Sequence, residues 1–496
     1  MSQRITIDPI TRLEGHGRIE IFLDDQGEVA NAYLQIPELR GFERFCIGRA
    51  AEEMPRITQR ICGVCPSAHH MASARALDDL YHVDPPPAAH KIRELFYNLF
   101  MFEDHTLHFY FLGGPDFIVG PTAPAGARNI VGVIGKVGLE IGGKVIEARK
   151  IAREFMAEMA GKVIHPVFGL PGGVSKPLTA DMVVRLEAAS QHLIDFAQFS
   201  LQAFHDIVLG NQAYVDTILA DYYAHKTNYM GMVDANGKNT FYRGDLRVID
   251  PSGKRLAQFP PRDYLKHIAE HVEPWSYIKF PFLKTPGWKG FVDGADSGLY
   301  RVAPLARLNV ADGMATPLAQ AHYEEFYKVL GGKPVHSTLA THWARLIEAL
   351  QATEVIQALA HDPEILSPVV RKLPEAPPTE GIGIVEAPRG TLIHHYATDP
   401  NGILTMVNLI VATVHNSAPI QMSIDRAAKG VIHGGKVDEG LLNMVEMAFR
   451  AYDPCFGCAT HSLPGEMPLR ATVRDARGEV VQVVERHKGL RARGWD

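Results

Sequence analysis

Cysteine is scarce in this chain: five residues in 496. A secreted protein stapled by disulfides would hold more over a shorter length, so that class is set aside. No stretch offers about 18 uncharged apolar residues in succession, and no transmembrane helix is expected. The longest apolar run, residues 96–112, is interrupted by Glu103, Asp104, His105 and His108. The first eight residues lack the apolar segment of a signal peptide, so synthesis and residence in the cytoplasm is the expectation. There is no excess of basic residues, since 50 Lys and Arg face 56 Asp and Glu for a net charge of −6, which argues against a nucleic-acid partner. Internal repeats and low-complexity segments are absent too.

What is present suits a large globular protein. The hydrophobic fraction is 46% and the charged fraction 21%, ample for a sizeable core. Residues 4–36 read as strands, with a hairpin turning at Asp24-Asp25-Gln26-Gly27. Residues 51–80 read as helix interrupted by a Cys-x-x-Cys pair. Three long amphipathic stretches follow, at 88–112, 127–161 and 178–223, each at helical period. Residues 224–310, rich in Gly, Pro, Asp and aromatics, read as irregular structure with short strands. Helices are expected again at 316–360, a loop at 372–380, strands at 382–398, helices at 400–428 and 437–451, and a hairpin over 469–484. The fold class expected is mainly α (α+β), a long-helix bundle with small peripheral sheets.

Four of the five cysteines lie in two tight pairs, Arg60-Ile61-Cys62-Gly63-Val64-Cys65-Pro66 and Asp453-Pro454-Cys455-Phe456-Gly457-Cys458. Two thiolates three residues apart can hold one ion from the same side, and two such pairs complete a four-sulfur shell. Soft thiolates favour zinc, iron–sulfur clusters or other transition metals. A local zinc ribbon needs its pairs about 15–20 residues apart. Here 389 residues separate Cys65 from Cys455. A thioredoxin-like dithiol would sit in a strand–helix–strand pattern, which is missing. Reduced core cysteine explains lone Cys46 well and the pairs poorly. Histidines attend both pairs: His69 and His70 after the first, His461 after the second. A neutral imidazole there can bind metal or donate a hydrogen bond to sulfur.

Further motifs join these in order: Arg12-Leu13-Glu14-Gly15-His16, Arg40-Gly41-Phe42-Glu43, and Glu386-Ala387-Pro388-Arg389-Gly390. Together, from residue 12 to residue 461, they make the chain resemble the large, catalytic subunit of nickel–iron hydrogenases. The segment Cys62-Gly63-Val64-Cys65-Pro66-Ser67-Ala68-His69-His70 and the ending Ala459-Thr460-His461 resemble the cytoplasmic multisubunit type. The membrane-bound uptake class more often has threonine after the first pair. The resemblance implies nickel bound by Cys62, Cys65, Cys455 and Cys458, with Cys65 and Cys458 bridging to an iron that carries carbon monoxide and cyanide. By the same resemblance Cys455 is the first proton acceptor and Glu14 passes the proton onward. Arg389 is suspended over the open side of the metals. Asp104 and Asp453 lie near that arginine, where an ion pair holding it in place stands beside direct catalysis as a reading. Thr413 matches a donor to a cyanide ligand, His69 a histidine bonded to a bridging sulfur, and Glu43 with His461 the ligands of a magnesium ion or second iron.

The activity so implied is reversible oxidation of H2 to protons and electrons. A scaffold with a structural four-cysteine zinc is the alternative of another class. The related quinone-site subunit of respiratory complex I lacks the four cysteines. One remaining cysteine, Cys46, cannot hold an iron–sulfur cluster, which needs about four ligands. Electrons therefore need a partner iron–sulfur small subunit, with further electron-transfer subunits delivering them to NAD(P), deazaflavin or a heterodisulfide-reductase-type module. Family members are trimmed by a maturation endopeptidase after the last histidine of the second motif. The catalytic domain is thus expected to be 1–461. The tail of 35 residues, 462–496, with seven Lys or Arg and five Asp or Glu, is expected to be removed, although its alternation is also that of a permanent hairpin.

Overall fold

The computed structural model describes residues 4–38, 40–273, 275–460, 469–474 and 480–486. Its centre is a layer of long helices. Helix α1 (Pro66–Leu80) follows the first cysteine pair and α2 (Pro87–Leu107) comes next, each opening on proline, whose missing N–H costs nothing at a first helical position. Helix α3 (Leu139–Ala160) ends at Gly161, at φ 75°. Helix α4 (Ala180–Phe204) is capped by Thr179, whose hydroxyl accepts from Met182 N. The short α5 (Pro304–Val310) and the long α6 (Thr341–Ala360) complete the layer. Helix α6 packs on α2 and α4, and α2 and α4 both pack on α3. From Thr341 to Glu354, α6 is buried on every side, polar residues included. A helix enclosed all round belongs to the centre of a large core, and its buried polar residues must find partners there.

Small sheets flank this layer. Strands β1 (Arg4–Ile7), β2 (Arg18–Leu23) and β3 (Val29–Gln35) form an antiparallel meander. Strand β4 (Asn228–Val233) lies in a four-stranded sheet between Tyr300–Arg301 and Asp245–Ile249, with Arg255–Phe259 at the edge. Strands β5 (Glu380–Ala387), β6 (Gly390–Thr398) and β7 (Leu404–Ile410) form a third sheet in that order. Helix α1 lies directly across β5 and β6. It can do so because β5 carries Gly381 and Gly383. A Cβ on Gly383 would stand 2.0 Å from Ala72 O, and one on Gly381 2.2 Å from Ala76 O. Helices α7 (Ser417–Val431) and α8 (Glu439–Arg450) pack against each other, and α7 also packs on β3.

The expected mainly α (α+β) class, a helix bundle with small peripheral sheets, is the one observed. Four local readings need correction. The stretch 127–161 is two helices, Ile130–Val137 and α3, because Gly138 takes φ 89° between them. The stretch 178–223 stops being one helix at Phe204; a π-turn, His205–Leu209, and a short helix, Gln212–Leu219, follow. Residues 224–310 are more regular than expected, holding the four-stranded sheet and the hairpin Ile268–Val272 with Lys279–Leu283. Residues 400–428 do not begin as helix, since the alternating apolar residues of 404–410 form β7. The expected terminal hairpin is present as Leu469–Arg474 paired with Val480–Arg486, its turn lying outside the described residues. No helix of the described residues is long and apolar enough to cross a membrane.

Candidate metal centre

The two cysteine pairs meet. Residues of the first pair bracket a turn that ends with Cys65 as the N-cap of α1. Cys455 caps the four-residue helix Phe456–Ala459, which holds Cys458. One sulfur from each of Cys62, Cys65, Cys455 and Cys458 lies within 4.8 Å of all the others, and all four residues are buried. Cys62 and Cys455 are 3.3 Å apart at sulfur, as are Cys65 and Cys458. All four are free thiols, and Cys46 lies apart from the cluster.

Glycine explains how the N-terminal motif reaches this site. Glu14 N donates to Pro454 O and Phe456 N to Glu14 O, so residue 14 runs beside Cys455 as a single parallel bridge. Gly15 takes φ +84°, and a Cβ there would lie 2.7 Å from Gly457 N. A Cβ on Gly457 would lie 2.6 Å from Glu14 Oε1. With both positions bare, Glu14 Oε2 comes 2.9 Å from Cys455 Sγ and accepts from Gly457 N at 3.0 Å. Burial raises the Glu14 carboxyl, the Cys62 sulfur adds to this, and the bonds from Cys455 and Gly457 act against it. Arg12 anchors the same segment, donating to Leu112 O at 2.9 Å and to Asp116 and Asn443. Arg40 ties the two cysteine loops together. Its guanidinium donates to Ile61 O, Arg60 O and Gly457 O, and its backbone N–H to Thr460 O.

Arg389 stands beside the sulfurs on the turn between β5 and β6. Its NH1 donates to Asp104 Oδ2 at 3.1 Å and its NH2 to Asp453 Oδ1 at 3.0 Å. All three side chains are buried. Burial pushes the Asp104 carboxyl up to about 7; Arg389 opposes this and the neighbouring Asp453 reinforces it. Asp453 sits at φ 57°, a left-handed conformation that Asp tolerates better than most residues. Thr413 Oγ1 accepts from Cys455 N at 3.0 Å. His69 Nε2 is 3.5 Å from Cys458 Sγ. Behind it His69 Nδ1 is 3.1 Å from His394 Nε2, and His394 Nδ1 is 2.5 Å from the Tyr396 hydroxyl, which donates to Ser73. Glu43 Oε1 accepts from Leu409 N at 2.7 Å. His461 lies outside the described residues.

This donor set fits a metal. Four buried sulfurs at such range cannot all ionise without a cation among them: Cys65 is raised to about 11 and Cys455 and Cys458 are driven up too, while Cys62 is lowered by hydrogen bonds from the other three. Asp104 Oδ1 and Arg389 Nε, both buried, have no hydrogen-bond partner among the described residues, as expected beside a site that takes a further group. Several members of the site have no motif to announce them. His394 and Tyr396 alternate on β6 as any core strand residues would. Arg345, 3.4 Å from Asp453 Oδ2, is one of several buried polar residues in a helix enclosed on every side. Only their burial together marks them.

Fold and site define a metalloprotein with a buried four-thiolate centre backed by an arginine and two carboxylates. The family profile described as nickel-dependent hydrogenase matches residues 40–125 and 144–461, and a HoxL-like profile matches residues 4–39. An F420-non-reducing hydrogenase iron-sulfur subunit of Archaeoglobus profundus is 49% identical over 483 residues, covering 97% of this chain and 99% of that protein. The beta subunit of the NAD-reducing hydrogenase HoxS of Cupriavidus necator is 39% identical over 496 residues, covering 97% and 99%. Among solved structures, an NAD+-reducing [NiFe]-hydrogenase in the H2-reduced state superposes with a TM-score of 0.87 at 37% identity, covering 92% of this chain and 99% of that one. The chain belongs to the nickel-dependent hydrogenase family. It is a hydrogenase catalytic subunit, an oxidoreductase acting on H2.

Proposed function

We propose that this chain cleaves H2 heterolytically and reversibly, and that Cys62, Cys65, Cys455 and Cys458 would hold nickel, Cys65 and Cys458 being shared with iron. The observation that carries the reading is the 2.9 Å contact between Cys455 Sγ and Glu14 Oε2 at the edge of a four-sulfur cluster. A nickel–iron pair bound there, its iron bearing carbon monoxide and cyanide, would supply the Lewis acidity and redox capacity that splitting H2 demands. Cys455 is placed to take the proton and Glu14 to receive it, a transfer that needs donor and acceptor within hydrogen-bond reach. Arg389 would keep a fixed positive charge beside the bound metals, since a guanidinium does not deprotonate. Asp104 and Asp453 hold it there. His69 bonds the Cys458 sulfur, and Thr413 steadies the Cys455 backbone and is available to a cyanide ligand. Glu43 and His461 would hold magnesium or a second iron, away from the reaction.

Electrons leave through an iron–sulfur small subunit. We place its docking face near the first cysteine pair, where Phe45, Ile47, Ile164 and Val167 are exposed. The names of the relatives as subunits support a multisubunit assembly. The onward acceptor is a soluble one, NAD(P) or a heterodisulfide-reductase-type module, and the location cytoplasmic. The mature catalytic domain is 1–461, with 462–496 removed by an endopeptidase. Infrared spectroscopy of the purified complex tests the centre: bands of metal-bound carbon monoxide and cyanide should accompany nickel. Zinc without nickel, and no such bands, would overturn it. Intact-mass measurement tests the processing, and an active enzyme still ending at Asp496 would sink that part.

A further inference from the structure

Arg345 lies on α6, outside every motif named above, and its side chain has no exposed surface. Its NH1 donates to Pro388 O at 3.1 Å, is 3.2 Å from His105 Nδ1, and pairs with Asp453 Oδ2 at 3.4 Å. Its NH2 donates to Ala451 O at 3.4 Å. Pro388 is the residue before Arg389, and Ala451 lies two before Asp453. Arg345 thus grips both segments that present the Arg389–Asp453 pair. The Asp453 carboxylate is shared between the two guanidinium groups, Oδ1 to Arg389 and Oδ2 to Arg345.

The grip continues behind Arg345. A guanidinium only donates, so His105 Nδ1 must present its lone pair. His105 is therefore neutral, with its one proton on Nε2, which donates to Glu348 Oε2 at 3.0 Å. Glu348 receives a two-pronged contact from Arg307, at 2.7 and 2.6 Å. Arg307 also donates to Glu386 Oε2 and to Ala387 O, both at 2.9 Å. The chain of contacts closes on itself: Arg389, Asp453, Arg345, His105, Glu348, Arg307 and Glu386, and then along the backbone through Ala387 and Pro388 to Arg389. Two buried arginines hold the two successive carbonyls that lead into Arg389, one each.

We propose that Arg345, backed by His105 and Glu348, is a positioning residue that sets where the Arg389 guanidinium stands beside the four sulfurs. The inference rests on the role given above to Arg389. A lysine at 345 keeps the charge but offers a point donor on a flexible stem, without the rigid plane that sets NH1 against Pro388 O and His105 Nδ1 while NH2 reaches Ala451 O. At position 105 the requirement is one acceptor facing Arg345 and one donor facing Glu348. Glutamine supplies both and phenylalanine neither.

The test uses the complete hydrogenase complex, with hydrogen–deuterium exchange and turnover expressed per bound nickel. Arg345→Lys should keep its nickel and the number of carbon monoxide and cyanide bands. Its exchange and kcat should fall about 10–100-fold, the usual scale for a supporting contact around a metal site. The KM for H2 should hold and the bands shift in position. His105→Phe should show the same pattern and His105→Gln should restore wild-type behaviour. A purely structural role predicts less loaded enzyme but normal behaviour per nickel, and that result overturns the proposal. If Arg345→Lys takes up no nickel, the His105 pair decides: equal exchange in the Phe and Gln variants overturns it. Absence of the bands from wild-type complex would instead overturn the reading of the centre.

Discussion

Glu14 is held by two bonds from the second cysteine motif, and it can exchange a proton through only one of them. The Gly457 N–H is a fixed donor, whereas the Cys455 sulfur is not. Glu14→Gln keeps an acceptor for Gly457 and loses the ability to take a proton. Nickel content and infrared bands should stay, while turnover and hydrogen–deuterium exchange fall about 10²- to 10⁴-fold, the range for a positioned acid–base group; unchanged turnover would remove Glu14 from the pathway. Gly457→Ala reaches the same carboxylate from the other side. Its methyl would stand 2.6 Å from Glu14 Oε1 and 3.0 Å from Arg40 NH1. Turnover per nickel should drop with it, and an alanine variant with normal turnover would show that the carboxylate has room to move. Glu14 and Gly457 are legible in the amino-acid sequence because they sit inside short motifs beside the cysteines. Arg345 and His105 are not, since nothing local distinguishes a buried arginine in Thr341–Ala360 from one on a solvated helix face. What identifies them is which residues face them from elements hundreds of positions away.

At the scale of elements, the contact between α1 and the third sheet positions one side of the centre. Residues His69 and Ser73 are one helical turn apart on α1, and His394 and Tyr396 are two apart on β6. Four helical residues rise about 6 Å and two strand residues about 6.6 Å, so the two pairs come into register. That match fails unless the helix lies close, which Gly383 permits. Gly383→Ala places a methyl 2.0 Å from Ala72 O and 2.4 Å from Ala76 N, atoms of backbone that cannot swing aside. We expect a loss of about 1–3 kcal/mol or more, seen as a lower thermal midpoint and poorer nickel loading; an unchanged midpoint would mean that helix and sheet separate freely. Most elements were legible from periodicity, including the Val29–Gln35 hairpin strand, α1, α2, α6 and α8. The failures have local causes. Gly138 and the π-turn at His205–Leu209 break helices whose apolar period continues across the break. Residues 404–410 precede a true helix, so their alternation is hidden in a longer apolar run. The short strands of 228–259 are defined by partners rather than by length.

For the whole molecule, the buried histidines govern the response to acid. His70 donates from Nδ1 to Pro55 O and accepts at Nε2 from Gly169 N, so it has no room for a second proton. His105 is likewise fixed neutral between Arg345 and Glu348. Burial lowers His70 and His225 to about 4 and His105, His342 and His415 to about 3. In the unfolded chain each would titrate near 6.5. Below that pH the unfolded state binds more protons than the folded one, so stability falls as pH falls. Their contribution is full above about pH 6.5 and is lost progressively toward pH 3–4, by up to about 1.4 kcal/mol per pH unit for each histidine. The thermal midpoint of the complex should therefore drop steeply between pH 6.5 and 5, before most carboxylates titrate. A midpoint that stays flat over that interval would contradict this account. The meeting of residues 12–16 with residues 453–458 also has a consequence in time. A ribosome adds about 5–20 residues per second, so the 389 residues between Cys65 and Cys455 put about 20–80 s between the two halves of the thiolate cage. During translation the first pair emerges without its partners and Glu14 without its neighbour. A chain released early carries half of the four-sulfur cluster, so the cluster cannot assemble until the second pair has been made.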